Sequence, residues 1–127
     1  MLLNGLLDLI IPKNEMQAQA EAHKAVMRKS AEIGGAVFGP IPKGVRREFF
    51  CLDTNTWVWH EEWTDADKTH HARTTRYDIR PHGIFKAQDG QPYQPVGAQE
   101  AVNLYFAVRQ YNRDVDEYFI PRLSPEY

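Results

Sequence analysis

The sequence predicts an α+β fold: a four-stranded antiparallel meander over residues 46–87, flanked by an N-terminal and a C-terminal helix in a two-layer sandwich. Two observations lead there. Between Phe49 and Ala87, aromatic and β-branched residues alternate with charged ones, the period of a half-buried strand. On either side, apolar residues recur at three- and four-residue steps, the period of a helix that buries one face.

A chain of 127 residues suits a single domain and is long enough to build a core without a metal or a disulfide. Hydrophobic content of 43% and charged content of 25% are ordinary for a globular protein, and a net charge of −2 argues against nucleic acid as a general partner. Cys51 is the only cysteine, so no intrachain disulfide forms. That usage fits a reducing, cytoplasmic setting.

Residues 1–12 form a short apolar segment in which Leu2, Leu3, Leu6, Leu7 and Ile10 follow helical spacing. The stretch is too short to span a bilayer, which takes about twenty apolar residues. It also lacks the basic start and small-residue cleavage site of a secretory signal. It is expected to pack on its own domain or to join two copies into a homodimer.

Asn14 with Gln17 three residues later has the form of a capping box, so the first helix is expected over residues 14–34. Its apolar stripe reads Met16, Ala20, His23, Met27, Ser30 and Ile33, and Gly34–Gly35 stops it. Pro40 and Pro42 keep the next stretch irregular.

The first strand is expected over residues 46–52 and the second over 57–63, joined by the turn-forming Asp53-Thr54-Asn55-Thr56. With Thr54 and Asn55 at the tip, Leu52 faces Trp57 and Phe50 faces Trp59, Arg47 lies opposite Glu62, and Glu48 opposite Glu61. The third strand spans about 69–80, with Thr75, Tyr77 and Ile79 on one face. Pro81-His82-Gly83 then turns the chain so that Ile79 pairs with Phe85, Tyr77 with Ala87 and Asp78 with Lys86. Gln91 to Pro95 is an extended connector. The second helix is expected over residues 97–119, on a stripe of Ala101, Leu104, Tyr105, Val108, Tyr111, Val115 and Tyr118. Pro121 ends it, leaving residues 120–127 as a tail.

No nucleotide-binding glycine loop, activated serine or zinc-type cysteine spacing is present, so the sequence names no catalytic residue, metal set or cofactor. Two candidate sites remain. The first is the sheet end where Glu48, Glu61 and His71 would meet: two carboxylates and an imidazole that suit a divalent metal or acid–base work, or simply a solvated sheet edge. A looser grouping of His60, Glu62 and His70 with Asp65 or Asp67 reads first as exposed histidines. The second candidate is the tryptophan set Trp57, Trp59 and Trp63. These are either core or, where two helices leave part of the sheet uncovered, the floor of a concave binding surface. Arginines striping the third strand among carboxylates fit salt bridges better than single-stranded nucleic acid.

Read as text, Trp57-Val58-Trp59-His60-Glu61-Glu62-Trp63, then Thr74 through Gly83 and Lys86-Ala87-Gln88-Asp89-Gly90-Gln91-Pro92-Tyr93, resembles a small protein family of reduced-genome bacteria of the Saccharibacteria kind. The likeness covers about residues 49–111. The family has no established activity, so the resemblance implies only a bacterial, cytoplasmic, single-domain protein. Together these readings point to a non-enzymatic, chaperone-like interaction module that self-associates or takes a protein partner. The alternative is a small-ligand or metal-dependent site at the Glu48, Glu61 and His71 end.

Overall fold

Alternation in the middle of the chain and helical spacing at its ends give a helix, a meander and a helix. The computed structural model describes residues 13–123: α1 (Lys13–Gly34), β1 (Val45–Asp53), β2 (Thr56–Thr64), β3 (His70–Arg80), β4 (Gly83–Gln88), β5 (Gln94–Pro95) and α2 (Ala98–Leu123). The apolar segment expected over residues 1–12 lies outside the described residues, as do residues 124–127. All neighbouring strands are antiparallel, in the order β1-β2-β3-β4-β5. The sheet therefore has five strands rather than four. Pro95 and Gln94 pair with Phe85 and Lys86. The proline is tolerated because this two-residue strand forms an edge.

The β1–β2 and β3–β4 hairpins each differ from the expected register by one residue. Asp53 does pair with Thr56 across the Thr54–Asn55 turn, and Asp53 accepts the Asn55 N–H at 2.8 Å. A bulge at Leu52 then shifts the rest of β1, so Cys51 faces Trp57, Phe49 faces Trp59, Arg47 faces Glu61 and Glu48 faces His60. Because side chains alternate across a strand, one extra residue exchanges the two faces. Phe49 turns to the helices and is fully buried, while Leu52 is 56% exposed. In the second hairpin the loop is Pro81–His82 alone, with Arg80 opposite Gly83. Gly83 serves as the first residue of β4, at φ 150°, rather than as the last of a three-residue turn. Lys86 thus faces Tyr77, and Phe85 faces Asp78 on the opposite side.

The core is built where α2 crosses the sheet. Leu104, Ala107 and Tyr111 pack on Phe49, Trp57 and Tyr77. Phe49 stacks on Trp57 with centroids 5.1 Å apart, and the Tyr111 ring meets Trp57 edge-on, also at 5.1 Å. Such pairs add to the area they bury. Tyr105, expected on the apolar stripe, is instead 55% exposed. Helix α2 also runs through Pro121 to Leu123 instead of ending before it. A proline in the last turn disturbs few helical bonds, and Arg122 donates to the Tyr118 carbonyl at 2.6 Å.

Helix α1 meets the sheet only through its last turns. Ser30, Ala31, Gly34 and Gly35 are buried, whereas Met16 and Met27 on the expected stripe are 55% and 42% exposed. The two glycines set this arrangement. A Cβ on Gly34 would run into the Phe49 carbonyl oxygen, and one on Gly35 into that of Arg47. Glycine lets the helix backbone lie directly against β1, closing that sheet edge. α1 therefore sits at the margin of the sheet, and of the two described helices α2 is the one that packs across its inner face.

Candidate functional site

With α1 at the edge, part of the inner face stays open beside α2. There a cavity of about 560 Å³ is lined by Val37 and Phe38 from the segment after α1, by Trp59 and Tyr77 from the sheet, and by Glu100, Asn103, Leu104, Phe106, Ala107 and Gln110 from α2. Phe106 and Phe38 are 59% and 42% exposed. Phe38 meets Trp59 edge-on at 4.5 Å, and the Arg47 guanidinium lies 5.7 Å from the Trp59 ring centre. The groove thus has aromatic walls and an aromatic floor, with polar groups at set places.

Those polar groups come from β3, β4 and α2. Lys86 Nζ reaches both Glu100 carboxylate oxygens at 2.9 Å, and the Tyr77 hydroxyl donates to Glu100 Oε2 at 2.9 Å. Burial, then the bond to Glu100 and its charge, push the Tyr77 phenol well above its ordinary range. Tyr77 therefore stays a neutral donor and Glu100 is held in place. Gln99 donates to Asn103 Oδ1 at 3.0 Å and Gln110 donates to Asp114 Oδ1 at 2.7 Å. The Asn103 amino group and the Gln110 carbonyl keep hydrogen-bonding capacity for a ligand.

The three tryptophans separate in role. Trp57 is 6% exposed and belongs to the core. Trp59 is half-buried and forms the floor of the groove. Trp63 lies further along the same face, with the His71 ring stacked on it at 5.4 Å and the Arg73 guanidinium at 5.5 Å.

Glu48, Glu61 and His71 do not come together. The bulge places Glu48 on the outer face, where it binds Arg46 at 2.8 Å. Glu61 lies on the inner face, with its Oε2 3.3 Å from Arg47 Nε and its register partner on β3 being Arg73. His71 pairs in register with Trp63, two residues from the expected position, and bonds Asp65 Oδ2 at 2.7 Å. That bond, with the Thr69 N–H, holds the Asp65 carboxyl below its usual range.

The cluster that does assemble is on the outer face, around His60. Its Nδ1 lies 2.7 Å from Thr74 Oγ1 and its Nε2 2.9 Å from Glu62 Oε2, while His70 Nε2 approaches Glu62 Oε1 at 3.1 Å. The looser grouping of His60, Glu62 and His70 is thus real, with Glu48 in place of Asp65 or Asp67. Glu48, His60 and Glu62 each offer one ligand atom within 4.8 Å of the others. Yet Arg46 spans both carboxylates, at 2.8 Å to Glu48 and 3.1 Å to Glu62, and supplies the positive charge there. The His60 bond, then the Arg46 charge, hold the Glu62 carboxyl below its usual range. Chemically this is a satisfied ion-pair network on a half-exposed sheet face.

Sequence reasoning missed Phe38, Lys86, Glu100 and Phe106. Phe106 carried the one usable signal, a large aromatic outside the apolar stripe of its helix. Among the described residues no helix is long and apolar enough to cross a membrane. Comparison with known protein families, curated proteins and solved structures finds no match for the chain.

Proposed function

We propose that this protein is a non-enzymatic interaction module that receives an apolar segment of a protein partner in the groove between α2 and the open part of the sheet. The observation that carries this reading is the aromatic lining. Phe106, more than half exposed, and Phe38, partly exposed, stand over a floor formed by Trp59, and such a patch is costly unless something covers it. Aromatic anchors of this kind supply most of the energy at protein contacts. The Asn103 and Gln110 amides beside them suit a peptide backbone. A protein suits the surface better than nucleic acid does, because Arg46, Arg47, Arg76 and Arg80 all lie within ion-pair reach of carboxylates. The lone, half-buried Cys51 fits a reducing cytoplasm.

The test is a displayed-peptide selection on the full chain, counter-screened on Phe106→Glu. Residue 106 is exposed, so the variant is expected to fold with little change in stability. Peptides rich in aromatic and aliphatic residues that bind the native chain and weaken about tenfold or more on the variant support the reading. Recovery of no binder, or of binders indifferent to residue 106, rejects it.

Self-association is a second reading, favoured by the apolar residues Val102, Tyr105, Ile120 and Leu123 that α2 leaves exposed. Light scattering on the full chain and on Tyr105→Glu tests it; a native chain that stays monomeric at high concentration rejects it.

A further inference from the structure

We propose that the open edge of β3, residues 70–73, accepts an extended peptide strand carrying an acidic side chain opposite Arg73. This rests on the binding reading above and gives the partner its form. Strand β3 outruns β4: the last paired residues are Thr75 and Gln88. Just beyond, Asp89 closes the pairing by accepting the Thr74 N–H on its side chain at 2.8 Å and donating its own N–H to the Thr74 carbonyl at 2.9 Å. Thr74 thus turns its backbone groups toward the β4 side, and with a period of two so do Ala72 and His70. Their N–H and C=O groups have no strand beside them among the described residues.

The other edges are treated differently. The Gly34–Gly35 backbone lies on β1, and β5 covers part of β4. Folds usually blunt an exposed edge because it templates strand addition. Here the edge carries the small Ala72 at its centre and no proline. A strand added there continues the inner face on which Trp63, Arg73 and Trp59 already lie, so its inward side chains run toward the groove.

Charge selects the occupant. Arg73 is exposed, rests on Trp63 at 5.5 Å, and has no carboxylate within ion-pair reach among the described residues. A residue directly opposite it on an added strand occupies a close, non-hydrogen-bonded pair, the geometry in which cross-strand charges act most strongly. A second copy paired antiparallel about Ala72 would instead set Arg73 against the other copy's His71, which offers no carboxylate.

The experiment titrates the full chain with labelled, end-blocked pentapeptides of alternating threonine and valine around a central glutamate, read by anisotropy. The glutamate peptide is expected to bind, and its lysine counterpart to bind about tenfold more weakly or worse. Methylating its inward amides is expected to weaken it by a similar factor, roughly the loss of one or two hydrogen bonds. Ala72→Pro removes an edge N–H while leaving the β2 side of the ladder untouched, and is expected to abolish binding with unchanged circular dichroism. Peptide methylation on the native chain carries the same test should that variant misfold. Binding that ignores both methylation and Ala72→Pro overturns strand addition. Equal binding of the lysine peptide overturns the acidic preference. Dimers of the native chain that Ala72→Pro dissolves overturn it by giving the edge to a second copy. Loss of peptide binding with retained Phe106-dependent selection overturns only the edge; failure of that selection overturns the groove.

Discussion

Gly34→Ala is expected to destabilise the fold although alanine is the better helix former. Intrinsic propensity favours alanine by about 1 kcal/mol in a helix interior and by less at the last position. Against it stands contact with a backbone that has no rotamer to escape into. The new Cβ would meet the Phe49 carbonyl oxygen, with the Phe49 carbonyl carbon at 3.0 Å and Tyr111 Cδ2 at 2.9 Å. Tyr111 is itself buried, 7% exposed, and wedged against Trp57, so its ring cannot swing aside. Either α1 must lift from β1 or β1 must bend, and overpacking of that kind costs about 1–3 kcal/mol. The net expectation is a loss of about 1–2 kcal/mol. Urea unfolding followed by tryptophan fluorescence, to which buried Trp57 contributes, measures it. Ala25→Gly, on the exposed half of α1, measures the propensity contribution in the same helix, at about 1 kcal/mol. A Gly34→Ala midpoint at or above that of the native chain would refute the direct seating of helix backbone on strand backbone.

Three further outcomes follow from the same geometry. Phe49→Ala is expected to cost about 3–5 kcal/mol and Leu52→Ala less than about 1 kcal/mol, because the bulge buries the first and exposes the second; equal losses in denaturant would restore the unbulged register. Tyr77 has its phenol raised by burial, so the folded state holds a proton that the unfolded chain gives up near pH 10.0; stability is full below that value and falls as pH rises above it. Melting temperatures between pH 8 and pH 11 are expected to decline less steeply in Tyr77→Phe, and parallel curves would exclude Tyr77 as a source. Glu100→Gln leaves Lys86 without its counter-charge in a half-exposed place, so a loss of about 1 kcal/mol or less is expected in thermal melts, and a larger loss would mean that the pair is more than a partly solvated ion pair.

The meander was legible because alternation is a local property, visible wherever one face is buried and the other is wet. Its register was not. Nothing in Cys51-Leu52-Asp53 announces a bulge, and Pro81-His82-Gly83 suits a three-residue turn as well as a two-residue loop closed by Gly83. The expected stripe of α1 failed for another reason. Met16, Ala20 and Met27 have helical spacing, but the helix meets the sheet through two glycines, and a residue without a side chain contributes nothing to a hydrophobic pattern. Among the described residues, the concave remainder of the inner face follows from α1 meeting the sheet at its margin. Trp59 was legible as its floor, whereas Phe38 and Phe106 reach it from a proline-rich segment and from the polar side of a helix.

Strand parity then decides which chemistry is possible. Side chains alternate, so the odd-numbered residues of β1 and β2 (Arg47, Phe49, Trp59, Glu61 and Trp63) share the inner face with His71 and Arg73 of β3, while Glu48, His60, Glu62 and His70 share the outer one. A slip of one residue in the first hairpin would exchange the β1 members of these sets and bring Glu48 beside Glu61, leaving two carboxylates on the groove side without Arg47 to balance them. With the bulge in place, Arg47 answers Glu61 and Arg46 answers Glu48 and Glu62, so each face neutralises its own carboxylates. Among the described residues, the inner face is left with aromatic rings and with Arg73, which has no carboxylate within ion-pair reach. That remainder is what supports the proposed binding role.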